Sequence, residues 1–318
     1  MNDFIFSLNA TVPVFLVIVL GFVLRKIGLL NEEFARVGDR LTFRVTLPVL
    51  LFVQLSTQDW SECFDLRFFL FCMIATCVSF VVIYGLSFLL LRDRSMVGTY
   101  AMVSFRGSAA VLGIAFVTNI YNGDAGFAPL MIVAVVPFYN VFSVLALAFS
   151  AKKEDNVRFS AKQVAFEVIT NPLILAVLLA IPAARLHWTE IRGMTIPYKF
   201  LTSVGNMATP LALLVLGAGF EHKEAAAKAR IALSAALTKL VLLPAAIVPV
   251  AIALGFRNEM LLAIAVMVAS PTTVACYIMA KNMKNDATLA SSTVLIATLL
   301  SPVTITALVY ILRTFGYI

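Results

Sequence analysis

Two cations stand in the most apolar parts of this chain. Arg106 sits near the middle of the stretch 96–119, and Lys239 lies about halfway along the stretch 228–254. No Asp or Glu lies deep in any comparable stretch. An ionised side chain at the centre of a membrane costs roughly 3 to over 10 kcal/mol, so it persists where water, a counter-charge or a ligand solvates it. Two deep cations without a deep carboxylate point to a membrane protein that handles anions.

The residues around Arg106 sharpen that reading. They run Ser104-Phe105-Arg106-Gly107-Ser108, and a second polar cluster, Ser270-Pro271-Thr272-Thr273, interrupts another apolar stretch. Pro271 removes a backbone donor and clashes with the carbonyl four residues back. The freed backbone groups must then find neighbours, water or a ligand. Should both helices open at the midplane, their broken ends meet there and amide dipoles can hold an anion. A kinked helix that only packs against its neighbours is the alternative, but a Ser-Pro-Thr-Thr cluster facing Arg-Gly-Ser favours a site. Its candidate substrate-binding residues are Ser104, Arg106, Gly107, Ser108, Ser270, Pro271, Thr272 and Thr273, with Asn140, three residues after Pro137.

Each polar residue also has a plainer role. Arg106 can fork two hydrogen bonds onto a carboxylate, or plug carbonyls freed by the other break. Lys239 can carry a coupling proton, or snorkel along its stem toward an interface. Glu167, one turn into its span, can carry a proton or pair with Lys162 or Arg158. Tyr139 and Tyr277 can gate a cavity or merely pack. No enzyme constellation emerges: His187 and His222 fall in loops on opposite sides, and no Ser or Cys in a span has a base beside it. A phosphate loop with a following Lys-Ser or Lys-Thr is missing, so nucleotide-driven transport needs a separate subunit. No cofactor is implied; coupling to H+ or Na+ stays open.

The elements that must position these groups are membrane helices. The 318 residues are 61% hydrophobic and 13% charged, against about 25% charged in a soluble domain. Charges gather between apolar runs long enough to cross a core of roughly 30 Å. The spacing predicts an all-α protein with ten spans, at roughly 8–27, 36–56, 67–91, 96–119, 127–150, 162–184, 196–220, 228–254, 258–280 and 287–312. Cations concentrate in the odd-numbered loops, among them Arg25, Lys26, Arg92, Arg94, Lys152, Lys153, Lys223, Lys228, Lys281 and Lys284. That bias puts the odd loops in the cytoplasm and both termini outside. The net charge of +7 follows from this loop placement and does not indicate nucleic acid. Cys63, Cys72, Cys77 and Cys276 lack metal-ligand spacing and read as free thiols.

The two halves match in outline. Pro13 and Pro172 are 159 residues apart, Pro48 and Pro210 are 162 apart, and Asp124 and Asp286 are also 162 apart. Five spans per repeat is an odd number, so the second half, 160–318, must lie upside down relative to the first, 1–152. Inverted repeats with interrupted helices are the usual build of a secondary transporter.

The same residues carry a family resemblance. Val12-Pro13-Val14-Phe15, Leu20-Gly21-Phe22, Gly28-Leu29-Leu30, Leu47-Pro48, Asn171-Pro172-Leu173, Thr209-Pro210-Leu211-Ala212, Gly217, Ala269-Ser270-Pro271 and Asp286-Ala287-Thr288-Leu289-Ala290 occur in order over the whole chain. In them the chain resembles bacterial members of the auxin efflux carrier family, which includes malonate and malate permeases. The resemblance implies a bacterial inner-membrane protein, often a homodimer, with scaffold helices at about 8–56 and 162–220 and transport-core helices at about 67–150 and 228–312. It further implies helices 4 and 9 crossing at their breaks, elevator-like movement, and an organic anion at the crossover. Malonate- or malate-like dicarboxylates come first, provided Lys239 faces the same cavity as Arg106. An exporter of aromatic or monocarboxylic acids, or an anion channel, is the alternative. Two departures set this chain apart. Family members usually carry an Asn-rich fourth-helix break followed by Leu-Gly-x-Pro, where this chain has Arg106 and Leu112-Gly113-Ile114-Ala115. Ala275 stands where the ninth helix commonly has Asn.

Overall fold

The computed structural model describes residues 2–57, 65–109, 117, 126–150, 170–191, 193–220 and 222–318, with side chains left out at 2–11, 14 and 222–224. Every regular element among the described residues is a helix. Glu167, Asp124, Cys63 and the stretch 110–116 lie outside them.

The chain opens with α1 (Asn2–Lys26), which ends in a turn at Gly28, where φ is 82°. The amide of Leu29 there donates to the carbonyl of Leu24 at 3.0 Å, a C-terminal closure that suits the left-handed freedom of glycine. Helix α2 (Glu32–Leu41) is capped by Asn31, whose side chain accepts from the Phe34 amide. A wide π-turn, Thr42–Thr46, leads from it into α3 (Leu47–Ser56). Next come α4 (Leu66–Leu90), capped by Asp65, and α5 (Arg94–Phe105), capped by Asp93. After α6 (Ala128–Ser150) follow α7 (Pro172–Arg185), α8 (Thr195–Asn206) and α9 (Ala208–Ala218). Helix α10 (His222–Leu237) passes through a second π-turn, Thr238–Leu242, into α11 (Leu243–Ala253). Last are α12 (Asn258–Ala269), α13 (Ala275–Asn282) and α14 (Ala287–Thr314). Asp286 caps α14, accepting from the Leu289 amide at 2.9 Å while its other oxygen pairs with Lys228 at 2.7 Å.

Five of these helical stretches are long and apolar enough to cross a membrane: Leu66–Leu90, Ala128–Ser150, Thr195–Ala218, Ala225–Ala253 and Ala287–Thr314. The distribution of side chains on α4 shows which solvent it is built for. Its buried positions are mostly small or polar, Cys72, Ala75, Thr76, Ser79 and Ser87, while Ile74, Val78, Val81, Val82 and Leu89 are exposed. Water would invert that order. In lipid, helices associate through close packing of small residues, and Ser and Thr bond their own helix, as Thr76 does to the Cys72 carbonyl at 2.8 Å.

Small residues also set the closest approaches. A Cβ built on Gly21 of α1 would collide with the backbone carbonyl of Leu214, and one on Gly217 of α9 with that of Ile18. The two glycines thus let α1 and α9 pack backbone to backbone. Helix α3 packs chiefly on α7 and α8, α6 on α4 and α5, and α14 on α10, α13 and α1.

Two helices end inside the protein, and the backbone of the second turns helical again a few residues on. The backbone leaves α5 at Arg106, whose φ and ψ of −83° and 123° are extended. It leaves α12 at Ser270, with φ −60° and ψ 141°, and becomes helical again only at Ala275. The proline rule accounts for the second break, because an α-helical residue before Pro271 is sterically disfavoured. The two interruptions touch. The Ser108 amide donates to the Pro271 carbonyl at 2.9 Å, and the Thr272 hydroxyl donates to the Val103 carbonyl at 2.7 Å. Backbone groups freed by one break are therefore satisfied by the other.

Candidate functional site

Arg106 caps α5 and turns its side chain toward α6 and α13. Its guanidinium donates to the Ser143 hydroxyl at 3.3 Å, to the Met279 sulfur at 3.2 Å and to the Asn140 side-chain oxygen at 3.1 Å. All three partners are neutral. The residue is 8% exposed, and among the described residues no carboxylate pairs with it. Asn140 is held in turn by donating to the Val136 carbonyl at 2.8 Å, and Ser143 donates to the Tyr139 carbonyl at 2.5 Å. A buried guanidinium with polar orientation and no counter-charge lacks what such a group most needs.

A cavity of about 80 Å³ opens beside it. It is lined by Arg106, Gly107, Ser108, Tyr139, Asn140 and the segment from Thr273 to Ala275, together with Leu47, Leu50, Leu51, Gln54, Val136, Leu173 and Thr209. The lining thus brings together six of the residues singled out in the sequence. Residues 273–275 open α13, so a helix N-terminus faces the same space as the guanidinium. The amides of Thr273 and Val274 donate to no backbone carbonyl among the described residues. A cation and a positive helix end around one small cavity form an electrostatic setting for an anion. The space is on the order of three water molecules, far below the ~300 Å³ at which drug-sized pockets begin.

The remaining candidates lie elsewhere. Ser104 is fully buried with its hydroxyl unpartnered. Ser270 is buried and donates to the Met267 carbonyl at 3.3 Å. Pro271 and Thr272 serve the contact between the breaks. Tyr277 sits one turn from Lys281, whose ammonium donates to its hydroxyl at 3.0 Å, away from the cavity. Lys239 is fully buried and does not line the cavity either; its ammonium donates to the carbonyls of Phe105 and Met267, each at 3.3 Å. The condition that Lys239 share a cavity with Arg106 is not met, because its charge is engaged by backbone carbonyls behind Gly107.

One carboxylate near the start of a predicted span, though not deep along it, is buried. Asp39, within the predicted span 36–56, is 3% exposed and forms an ion pair with Lys281. The sequence does not mark this burial, because the surrounding stretch, Glu32–Leu41, is rich in charge and looks like a solvated helix start. That pair borders an open cleft of about 880 Å³ lined by Arg25, Glu32, Glu33, Arg36, Gly219 and Lys281. The larger cleft is the poorer anion site, since carboxylates already serve three of its four cations: Arg25 pairs with Glu32 at 2.8 Å, Arg36 with Glu33 at 3.8 Å, and Lys281 with Asp39, while Lys26 has no ion pair among the described residues.

Residues 6–310 match the family described as membrane transport protein. The chain belongs to that family, the auxin efflux carrier family, whose members are membrane transporters and not enzymes. No curated protein matches it. With its apolar helices, family membership makes it a multi-pass membrane protein.

Proposed function

We propose that this protein is a secondary carrier of small organic anions, which bind in the cavity beside Arg106 with one carboxylate on its guanidinium. The observation that carries the reading is the buried Arg106 with neutral partners only, next to the N-terminus of α13. A ligand carboxylate supplies the counter-charge, and a bidentate pair is the strongest form that contact takes. Ser108, Thr273, Thr209 and Gln54 line the same cavity and offer polar contacts for a second carboxylate; the three-water space of this state has to widen before a dicarboxylate of malonate or malate size is held. Ser104, Ser270, Pro271 and Thr272 support the site through the packing of the two breaks.

The cavity draws its lining from α3, α7 and α9 as well as from α6 and α13, which suits an elevator. In this reading α1–α3 and α7–α9 form the scaffold, α4–α6 and α10–α14 the moving core, and the fourth and ninth spans, which hold α5 and α12–α13, cross at their interruptions in an inverted-repeat fold. The bilayer of the bacterial inner membrane holds the protein as a homodimer with both termini outside the cytoplasm. Alternating access is reversible, so gradients decide import or export. A second reading, an aromatic or monocarboxylic acid carrier, draws on the apolar wall of Leu47, Leu50, Leu51 and Leu173.

Binding of organic acids to the purified protein separates these readings. Malonate or malate is expected to bind more tightly than acetate, phenylacetate or indole acetate. Arg106→Ala is expected to weaken binding by about a hundredfold, the value of a charged hydrogen-bond pair near 3 kcal/mol, with an unchanged elution profile. Normal affinity in a folded Arg106→Ala removes the guanidinium from the site. Current that does not saturate in reconstituted protein moves the reading to a channel.

A further inference from the structure

The ammonium of Lys239 does something the anion reading does not use. Helices α5 and α12 each stop inside the protein, and each leaves unpaired carbonyls and the negative end of its dipole at the stop. Phe105 is the last residue of α5, and Met267 lies in the last turn of α12. Both carbonyls accept from the Lys239 nitrogen at 3.3 Å. One positive charge is thus shared by the C-terminal ends of two helices that come from opposite halves of the chain. Ser270 sits at the same place: its hydroxyl donates to the Met267 carbonyl, and a Cβ built on Gly107 would collide with that hydroxyl and stand 2.9 Å from the Lys239 nitrogen. Lys239 itself is fully buried. It reaches this point from the π-turn Thr238–Leu242, a local widening that often marks functional positions.

Remove the ammonium, and two negative helix ends face each other in an enclosed, mostly apolar site. Backbone carbonyls and a hydroxyl converging on such a point are the ligands a small monovalent cation takes from a membrane protein. We propose that Lys239 is a tethered cation filling a monovalent-cation site between the two helix breaks, so that the protein holds its interrupted helices together without binding sodium. The inference rests on the carrier reading and deepens it by removing this place as a site for a coupling sodium. Its structural half stands without any transport.

The test is the thermal unfolding of detergent-purified protein in choline chloride, with sodium or ethylammonium added. Wild type is expected to melt at the same temperature in all three. Lys239→Ala leaves room and two helix ends without their cation, the Met267 carbonyl keeping only the Ser270 and Tyr139 hydroxyls; it is expected to melt roughly 5 °C or more lower in choline and to be restored saturably by sodium or ethylammonium. Lys239→Met keeps the stem without the charge, so it is expected to be destabilised and not restored. Should Lys239→Ala not fold, Lys239→Ser, which leaves the same room, takes its place with the same expected readings. Three results overturn the proposal: saturable stabilisation of wild type by sodium, a cavity variant as stable as wild type in choline, or a destabilised variant that neither cation restores. Malonate binding to wild type in choline keeps the two readings apart. Its absence sinks the anion site and leaves the melting results to judge Lys239 alone.

Discussion

Arg106 gains orientation from its neighbours but no charge balance. Asn140 accepts from it at 3.1 Å and is itself pinned to the Val136 carbonyl. Replacing Asn140 by Asp puts a carboxylate at that acceptor position, where it competes with any ligand for the guanidinium. Affinity for malonate is expected to fall at least about tenfold, a cost of ~1.4 kcal/mol, while thermal stability holds or rises because a buried cation gains its partner. An Asn140→Asp protein that binds malonate like wild type would show that the anion sits elsewhere. The residue types were legible from the chain: Arg106, Ser108, Asn140, Tyr139 and Thr273 all reach one cavity. The fate of Lys239 was not, since a π-turn decides where its stem points. Nor was the burial of Asp39, which depends on Lys281 far along the chain.

At the level of elements, the helices owe their positions to small residues as much as to apolar ones. Gly21 and Gly217 face the other helix's backbone, and backbone cannot move aside as a side-chain end can. Gly217→Val is therefore expected to cost about 1–3 kcal/mol in overpacking and to lower the melting temperature by roughly 5 °C. Gly85 on α4 supplies the control: a Cβ there meets nothing within 4 Å, so Gly85→Ala is expected to leave stability unchanged or slightly raised. Equal melting of the two variants would deny α1 and α9 their close approach. Predicted spans and observed helices agree within a few residues at α4, α6 and α14. They differ where a span is divided: the stretch 196–220 becomes α8 and α9, joined at Met207, and 258–280 becomes α12 and α13 around Ser270 to Val274. Prolines hinted at such divisions. Their depth and the contact between two of them are set by packing.

Across the whole molecule, charge placement makes a prediction that packing cannot. Lys153 lies in the basic loop after the fifth span, and Cys63 in an acidic one after the second; both positions are outside the described residues. With Cys63 as the single cysteine, a membrane-impermeant maleimide is expected to label it in intact cells. A single cysteine replacing Lys153 is expected to react only after permeabilisation. Labelling of both from outside overturns the orientation. The Asp39–Lys281 pair ties α2 to the end of α13 beside the larger cleft, and any sliding of a core past a scaffold has to break it.

Composition and order along the chain were enough to determine the solvent, the class and the location of the polar breaks. Those depend on runs of apolar residues, on prolines and on where loops hold cations, all of which are local. Tertiary structure decided which cation faces a cavity. Arg106 and Lys239 look alike in sequence, each a charge amid apolar residues. Only the meeting of two helix ends inside the protein leaves one facing a cavity beside a helix N-terminus and spends the other on two helix C-termini. Backbone carbonyls carry no trace of that role in the amino-acid sequence, because every residue has one.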